Sequence, residues 1–171
     1  MEHLTVKVLI IIIACVSFIS CKQTANDKLD KKLSEEFYDS IKSQNAEKFE
    51  FNYDGLTPQE SYFKDGKIQF LKFRQNPEAG FSEGMIYFNS QTDSIDKYIL
   101  RQVVPEWKTY NDDMFDKYFD TIYIISPNLN KTKTYSKNNL IDSTFRPYIN
   151  DWNVKFIYKM KKGTEEKYNS R

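Results

Sequence analysis

The sequence predicts an α+β domain in which an N-terminal amphipathic helix packs on one face of an antiparallel meander sheet. Three features of the chain carry that expectation. Leu29, Leu33, Phe37 and Ile41 recur every four residues, the period of a helix with one apolar stripe. From Phe49 onward, short alternating runs are interrupted at Asp65-Gly66, at Asn89–Ser94 and at Pro127-Asn128, the punctuation of hairpins. Hydrophobic residues are 40% of the chain and aromatics 16%, enough to bury a core rather than stay disordered. A leading helix followed by a run of hairpins leaves the sheet antiparallel, with the helix on its face.

The helix should run from Asp27 to about Gln44, capped by Asn26 or Asp27, with Lys31, Lys32, Glu35 and Glu36 on its polar side. Phe49–Tyr53 alternates and stops at Asp54-Gly55. Ser61–Phe63 meets Lys67–Phe73 across Asp65-Gly66, and Gln75–Gly84 reads as a loop. Met85–Phe88 and Ile95–Val104 form the next hairpin, ended by Pro105. Asn111–Phe119 reads as a short helix. Thr121–Ile125 and Lys131–Tyr135 form a third hairpin, and Trp152–Met160 a last strand. The opening Phe37-Tyr38-Asp39-Ser40-Ile41 through Lys48-Phe49 loosely resembles the first helix of cystatin-like and NTF2-like domains.

Ahead of this lies a segment of another character. Lys7 precedes a continuous apolar run from Val8 to Phe18, followed by small or polar residues, the layout of a secretory signal. As a helix the run reaches about 16 Å, against a bilayer core of about 30 Å. Phe18-Ile19-Ser20-Cys21 resembles the lipobox of bacterial lipoproteins. The resemblance implies cleavage before Cys21 and lipid on its sulfur, usually with a further acyl chain on the new amino terminus. Cys15 is a rival site, and an uncleaved helical anchor is the alternative. The expected organisation is a signal peptide over 1–20, a tether over 21–26, one α+β domain over 27–160 and a polar, frayed tail over 161–171. Lys22 follows the cysteine where an inner-membrane retention signal would place Asp, which by resemblance favours an outer-membrane lipoprotein facing the periplasm.

Composition excludes several classes. Net charge is +1, so there is no basic excess to neutralise phosphates and nucleic acid is not an expected partner. His3 is the one histidine, and Cys15 and Cys21 are the two cysteines; all precede the expected mature domain. That domain would hold no histidine triad, no cysteine nucleophile and no usual zinc site. The glycines stand at 55, 66, 80, 84 and 163 and form no phosphate-cradling cluster. No cofactor is expected.

The densest acidic group, Asp112, Asp113, Asp116 and Asp120, lacks the loop pattern of a calcium site and reads as a solvated helix face. No metal site is expected there. Tyr62, Tyr87, Tyr98, Trp107, Tyr110, Tyr118 and Trp152 read mostly as core, with a ligand surface as the other reading. Glu78 and Glu83 offer a carboxylate pair, but no catalytic residue is assigned. Asp39-Ser40-Ile41, Asp93-Ser94-Ile95, Asp120-Thr121-Ile122 and Asp142-Ser143-Thr144 resemble the acceptor triplet of Bacteroidetes O-glycosylation, which makes Ser94, Thr121 and Ser143 candidate acceptors. The functional expectation is a lipid-anchored envelope lipoprotein that acts as a non-catalytic binding module. It would be held to the membrane through Cys21 and would bind a protein or small ligand. A small carboxylate-dependent envelope hydrolase and an immunity or inhibitor lipoprotein are the alternatives.

Overall fold

The structure is a computed structural model that describes residues 26–76, 80–105, 118–144 and 151–171, with side chains from residue 154 onward in the last stretch. The signal segment, Cys21 and the stretch expected to be helical over 111–117 lie outside the described residues. Helix α1 spans Asp27–Ser43. Eight strands follow: β1 Glu47–Phe49, β2 Gln59–Lys64, β3 Lys67–Gln75, β4 Phe81–Phe88, β5 Ile95–Pro105, β6 Tyr118–Ser126, β7 Lys131–Ser136 and β8 Asn139–Thr144. Helix α2, Asp151–Asn169, ends the chain. The strands form one antiparallel sheet in sequential order from β1 to β8. Among the described residues, no helix is long and apolar enough to cross a membrane.

The turns follow from residue chemistry. Asp65 and Gly66 both have positive φ, which the two-residue turn between β2 and β3 demands and glycine accepts without strain. Lys137 and Asn138 repeat that conformation between β7 and β8. Pro127–Leu129 makes a single 3-10 turn between β6 and β7, closed by Asn130 in the left-handed region.

The sheet has an apolar cluster on each face. Leu33, Phe37 and Ile41 of α1 lie in one cluster with Tyr62, Phe70, Met85, Ile99 and Ile122. The Phe37 ring meets Tyr62, Phe70 and Tyr87 edge-on at 5.3–6.4 Å, the geometry aromatic quadrupoles favour. The second cluster joins Phe63, Leu71, Ile86, Tyr98, Leu100 and Ile125 to Ile157 and Met160 of α2. Two glycines sit where rings need room. A Cβ on Gly84 would lie 2.6 Å from the Phe73 ring, and one on Gly163 would collide with the Tyr53 ring.

Five expectations need correction. The strand expected over Phe49–Tyr53 is only the short β1, Glu47–Phe49, and residues 50–53 lie outside any strand. Trp152–Met160 is helix, and α2 continues through the segment read as a frayed tail, where Tyr168 stacks on Phe63 at 3.9 Å. The stripe Ile157, Met160, Lys161, Thr164 has helical spacing and is buried. Its polar members are satisfied there: Lys161 pairs with Asp93 at 2.9 Å and with Glu165, and Thr164 accepts from Gln59 at 2.8 Å. Tyr118 and Phe119 begin β6 instead of ending a helix. Asp120 is a buried strand residue, not part of a solvated helix face. Phe81–Gly84 extends β4 into the expected loop, because each residue there pairs in register with Leu100–Val103 of β5.

Candidate functional site

Two polar assemblies flank α1, and helical spacing sorts them. Asp27 and Asp30 lie three apart on one flank; Leu29, Lys32 and Glu36 follow the same three-and-four rule on the other.

The first assembly centres on Arg101. Its side chain is 6% exposed and points from the middle of β5 to three carboxylates. Nη2 donates to Asp27 at 2.9 Å and to Asp120 at 2.8 Å; Nη1 donates to Asp30 at 2.7 Å; Nε donates to the other Asp120 oxygen at 3.1 Å. The carboxylates hold the guanidinium well above its usual value against the opposing effect of burial. Burial pushes the Asp30 carboxyl up although Arg101 pulls it down, and Asp30 Oδ1 is buried without a partner. Asn26 extends the network. Its backbone N–H and its amide both donate to Asp120, and its Oδ1 accepts from the backbone N–H of Asn138 at 2.7 Å. The Asn26 side chain is thereby drawn away from capping α1, and Asn138 supplies the cap across the structure: its Oδ1 accepts from Leu29 N–H at 3.0 Å. One cation against three carboxylates, closed off by hydrogen bonds, is the pattern of a structural clasp; it ties the start of α1 to β5, β6 and the β7–β8 turn.

The second assembly is open. A groove of about 410 Å³ runs between α1 and strands β5 to β7, within the size range of small-ligand sites. Leu29, Leu33, Ile124 and Leu129 give it apolar walls. Lys32, Lys97, Lys131 and Lys133 bring four cations to it, with Glu36 as the acidic lining residue. Glu36 is shared between Lys32 at 3.9 Å and Lys97 at 4.0 Å, contacts at the outer limit of an ion pair. Lys97 also lies 5.0 Å from the centre of the Tyr87 ring. Strand alternation places Lys131, Lys133 and Tyr135 on one face of β7.

A smaller cleft of about 300 Å³, lined in part by Gln59, Glu60, Lys72, Arg74 and Glu83, holds two carboxylates. Glu83 is paired with Lys72 at 3.2 Å, and Glu60 accepts from Tyr62 at 2.6 Å and Tyr38 at 3.2 Å. Glu78, the partner suggested for Glu83 by spacing, lies outside the described residues.

The other candidates fall as follows. Ser94 sits in the turn before β5, with its hydroxyl 2.8 Å from Thr92. Thr121 is half-buried in β6 opposite Gln102 and Ser136, and Ser143 is exposed on β8, at the edge of the sheet. Asp112, Asp113, Asp116, Trp107 and Tyr110 lie outside the described residues. Tyr62 and Tyr98 are core, Tyr87 is half-buried and Tyr118 is exposed. Among the described residues, no three or more histidine, cysteine or acidic side chains converge as a metal site would require.

Sequence reasoning missed both assemblies. A signal existed for each: an arginine inside the apolar run Ile99-Leu100-Arg101, and the alternation Lys131-x-Lys133-x-Tyr135. Compared with known proteins, the chain matches no family model, no curated protein and no solved structure.

Proposed function

We propose that this chain is a lipid-anchored lipoprotein of the cell envelope, acting as a non-catalytic binding module whose site is the groove between α1 and β5–β7. The observation that carries the reading is the groove itself: apolar walls beneath four lysines and one glutamate, on a chain whose overall charge is only +1. Such a surface is equipped to hold a ligand by apolar contact and by charge. The lipobox-like Phe18–Cys21 supports the anchor. Asn26 is fixed to the sheet by the clasp, and it stands five residue steps beyond Cys21, a span of at most about 18 Å. In this reading α1 covers one face of the sheet and carries the groove close to the membrane, on the periplasmic side of the outer membrane.

Two experiments test the proposal. The full chain is purified from envelopes in mild detergent, and co-purifying molecules are compared between the wild type and a Lys97→Glu/Lys133→Glu variant. A molecule retained by the wild type and lost from the variant is expected; identical preparations from both would end the binding reading. Anchoring is tested by palmitate labelling. Cys21→Ser should abolish label and leave the uncut precursor, whereas Cys15→Ser should change neither. Label that depends on Cys15 would move the processing site, and label that depends on neither cysteine would end the lipoprotein reading.

A further inference from the structure

We infer that the groove takes an anionic phospholipid from the membrane beside it, with the phosphate against Lys97 and Lys133 and one acyl chain along Leu29, Leu33, Ile124 and Leu129. The inference rests on the binding reading above and names the ligand class.

The lining is rich in donors and poor in acceptors. The lining carries four lysines, each bringing up to three N–H donors, against one carboxylate, Glu36, and the hydroxyls of Ser126 and Tyr135; Lys131 is already engaged, which leaves Lys97 and Lys133 as the main donors for a ligand. A peptide segment laid in the groove would bring backbone N–H groups that need acceptors, and few are available. A phosphodiester brings acceptors alone, and an alkyl chain brings neither kind of group. Charge points the same way. Among the described residues Lys133 meets no carboxylate, and Glu36 is already divided between Lys32 and Lys97. Lysine ammonium groups suit phosphate as point charges without a fixed fork geometry.

The apolar part is equally specific. Leu129 is 71% exposed on the turn between β6 and β7, and Leu29 is only half-buried although it belongs to the apolar stripe of α1. These two side chains mark a strip that the protein's own core leaves partly uncovered. The strip also lies near the tether. The α1 residues of the groove stand three to ten positions beyond Asn26, so about 5 to 15 Å along the helix axis. A lipid leaving the outer face of the leaflet would reach the lysines without the domain detaching.

The test uses the full-length lipidated chain in an uncharged detergent, read by native mass spectrometry. The probes are dioleoylphosphatidylglycerol, dioleoylphosphatidylcholine and inorganic phosphate. One phosphatidylglycerol adduct is expected, retained at least tenfold over phosphatidylcholine. Lys97→Glu/Lys133→Glu should lower it at least tenfold. Lys162→Glu, a charge reversal on the exposed side of α2, should leave it unchanged. Equal retention of the two lipids would overturn the headgroup assignment. Displacement by inorganic phosphate alone would overturn the acyl-chain assignment. Loss of the adduct in Lys162→Glu to the same degree would show general electrostatics and overturn the site. If no lipid binds while a different co-purifying molecule is still lost from Lys97→Glu/Lys133→Glu, this inference fails and the binding reading stands; if nothing is lost from that variant either, both fall.

Discussion

Arg101 and Asp120 are joined twice, Nε to one carboxylate oxygen at 3.1 Å and Nη2 to the other at 2.8 Å, across the neighbouring strands β5 and β6. Both side chains are at most 6% exposed. A planar fork against a planar carboxylate fixes orientation as well as charge, and that leaves the remaining Arg101 donors aimed at Asp27 and Asp30. Arg101→Met should therefore be severe, because it strands three carboxylates around an apolar side chain. A loss of about 3–5 kcal/mol is expected in urea denaturation. Arg101→Lys should also be clearly destabilising, since a point charge cannot reproduce the fork. A loss within about 0.5 kcal/mol, as for an ordinary surface substitution, would show that the clasp is not cooperative.

Asn138 has two separable roles, a left-handed backbone and a cap for α1. Asn138→Gly keeps the first and removes the second. The expected cost is about 1 kcal/mol, with amide exchange of Leu29 accelerated relative to the middle of α1. If Asn138→Gly is neutral, the cap across the structure contributes nothing.

Asp30 predicts the sign of one pH dependence. Burial raises its carboxyl above the usual range, so the folded state binds the proton more tightly than the unfolded state. Its contribution is fully present below the unfolded value of about 3.9 and is lost as pH rises through the folded value. Asp30→Asn removes that ionisation. Its stability relative to the wild type should improve as pH rises from about 4 towards neutrality. The denaturation midpoints of the two proteins, followed over that range, should diverge in this direction; a constant difference would contradict the raised value.

Removing residues 162–171 tests whether the end of α2 is structural. The deletion takes away the Tyr168 ring stacked on Phe63, the Thr164 acceptor for Gln59 and the Glu165 carboxylate that accepts from Ile68 N–H at 2.9 Å. Ile68 lies at the bulge between β2 and β3, where the ladder shifts register and this N–H turns to Glu165. A loss of about 3 kcal/mol or more is expected, read as a fall in melting temperature. Retention of full stability would restore the dispensable tail.

The antiparallel meander was legible wherever turn chemistry is local. Asp65-Gly66 and Pro127-Asn128 each mark a hairpin within a few residues of sequence, and both are present. The β7–β8 hairpin was not read, because Lys137-Asn138 carries no glycine although both residues have positive φ, and of the two only asparagine is a residue type that visits that region readily. The C-terminal helix was hidden by two overlaid periods. Val154, Phe156, Tyr158 and Met160 alternate like a strand, whereas the buried stripe runs through the polar Lys161 and Thr164, whose burial depends on partners far away in the chain. For the same reason neither polar assembly could be located. Arg101 and Lys97 are two ordinary charges of β5 until Asp27, Asp30 and Glu36 come back to meet them from α1.

The sequential order of the strands has a further consequence, for the sequence of events in folding. Each strand pairs only with its neighbour in the chain, so the sheet can grow hairpin by hairpin with short loop closures. The clasp is the opposite case: Asn26 meets Asp120 across 94 residues and Asn138 across 112. A chain emerging with its N-terminus first would thus hold its first helix waiting until its sixth, seventh and eighth strands had formed. Pulsed hydrogen exchange during refolding should find the amides of α1 protected after those of β3 and β4. The end of the fold that begins with Asn26 and α1 is, by this topology, the last to close.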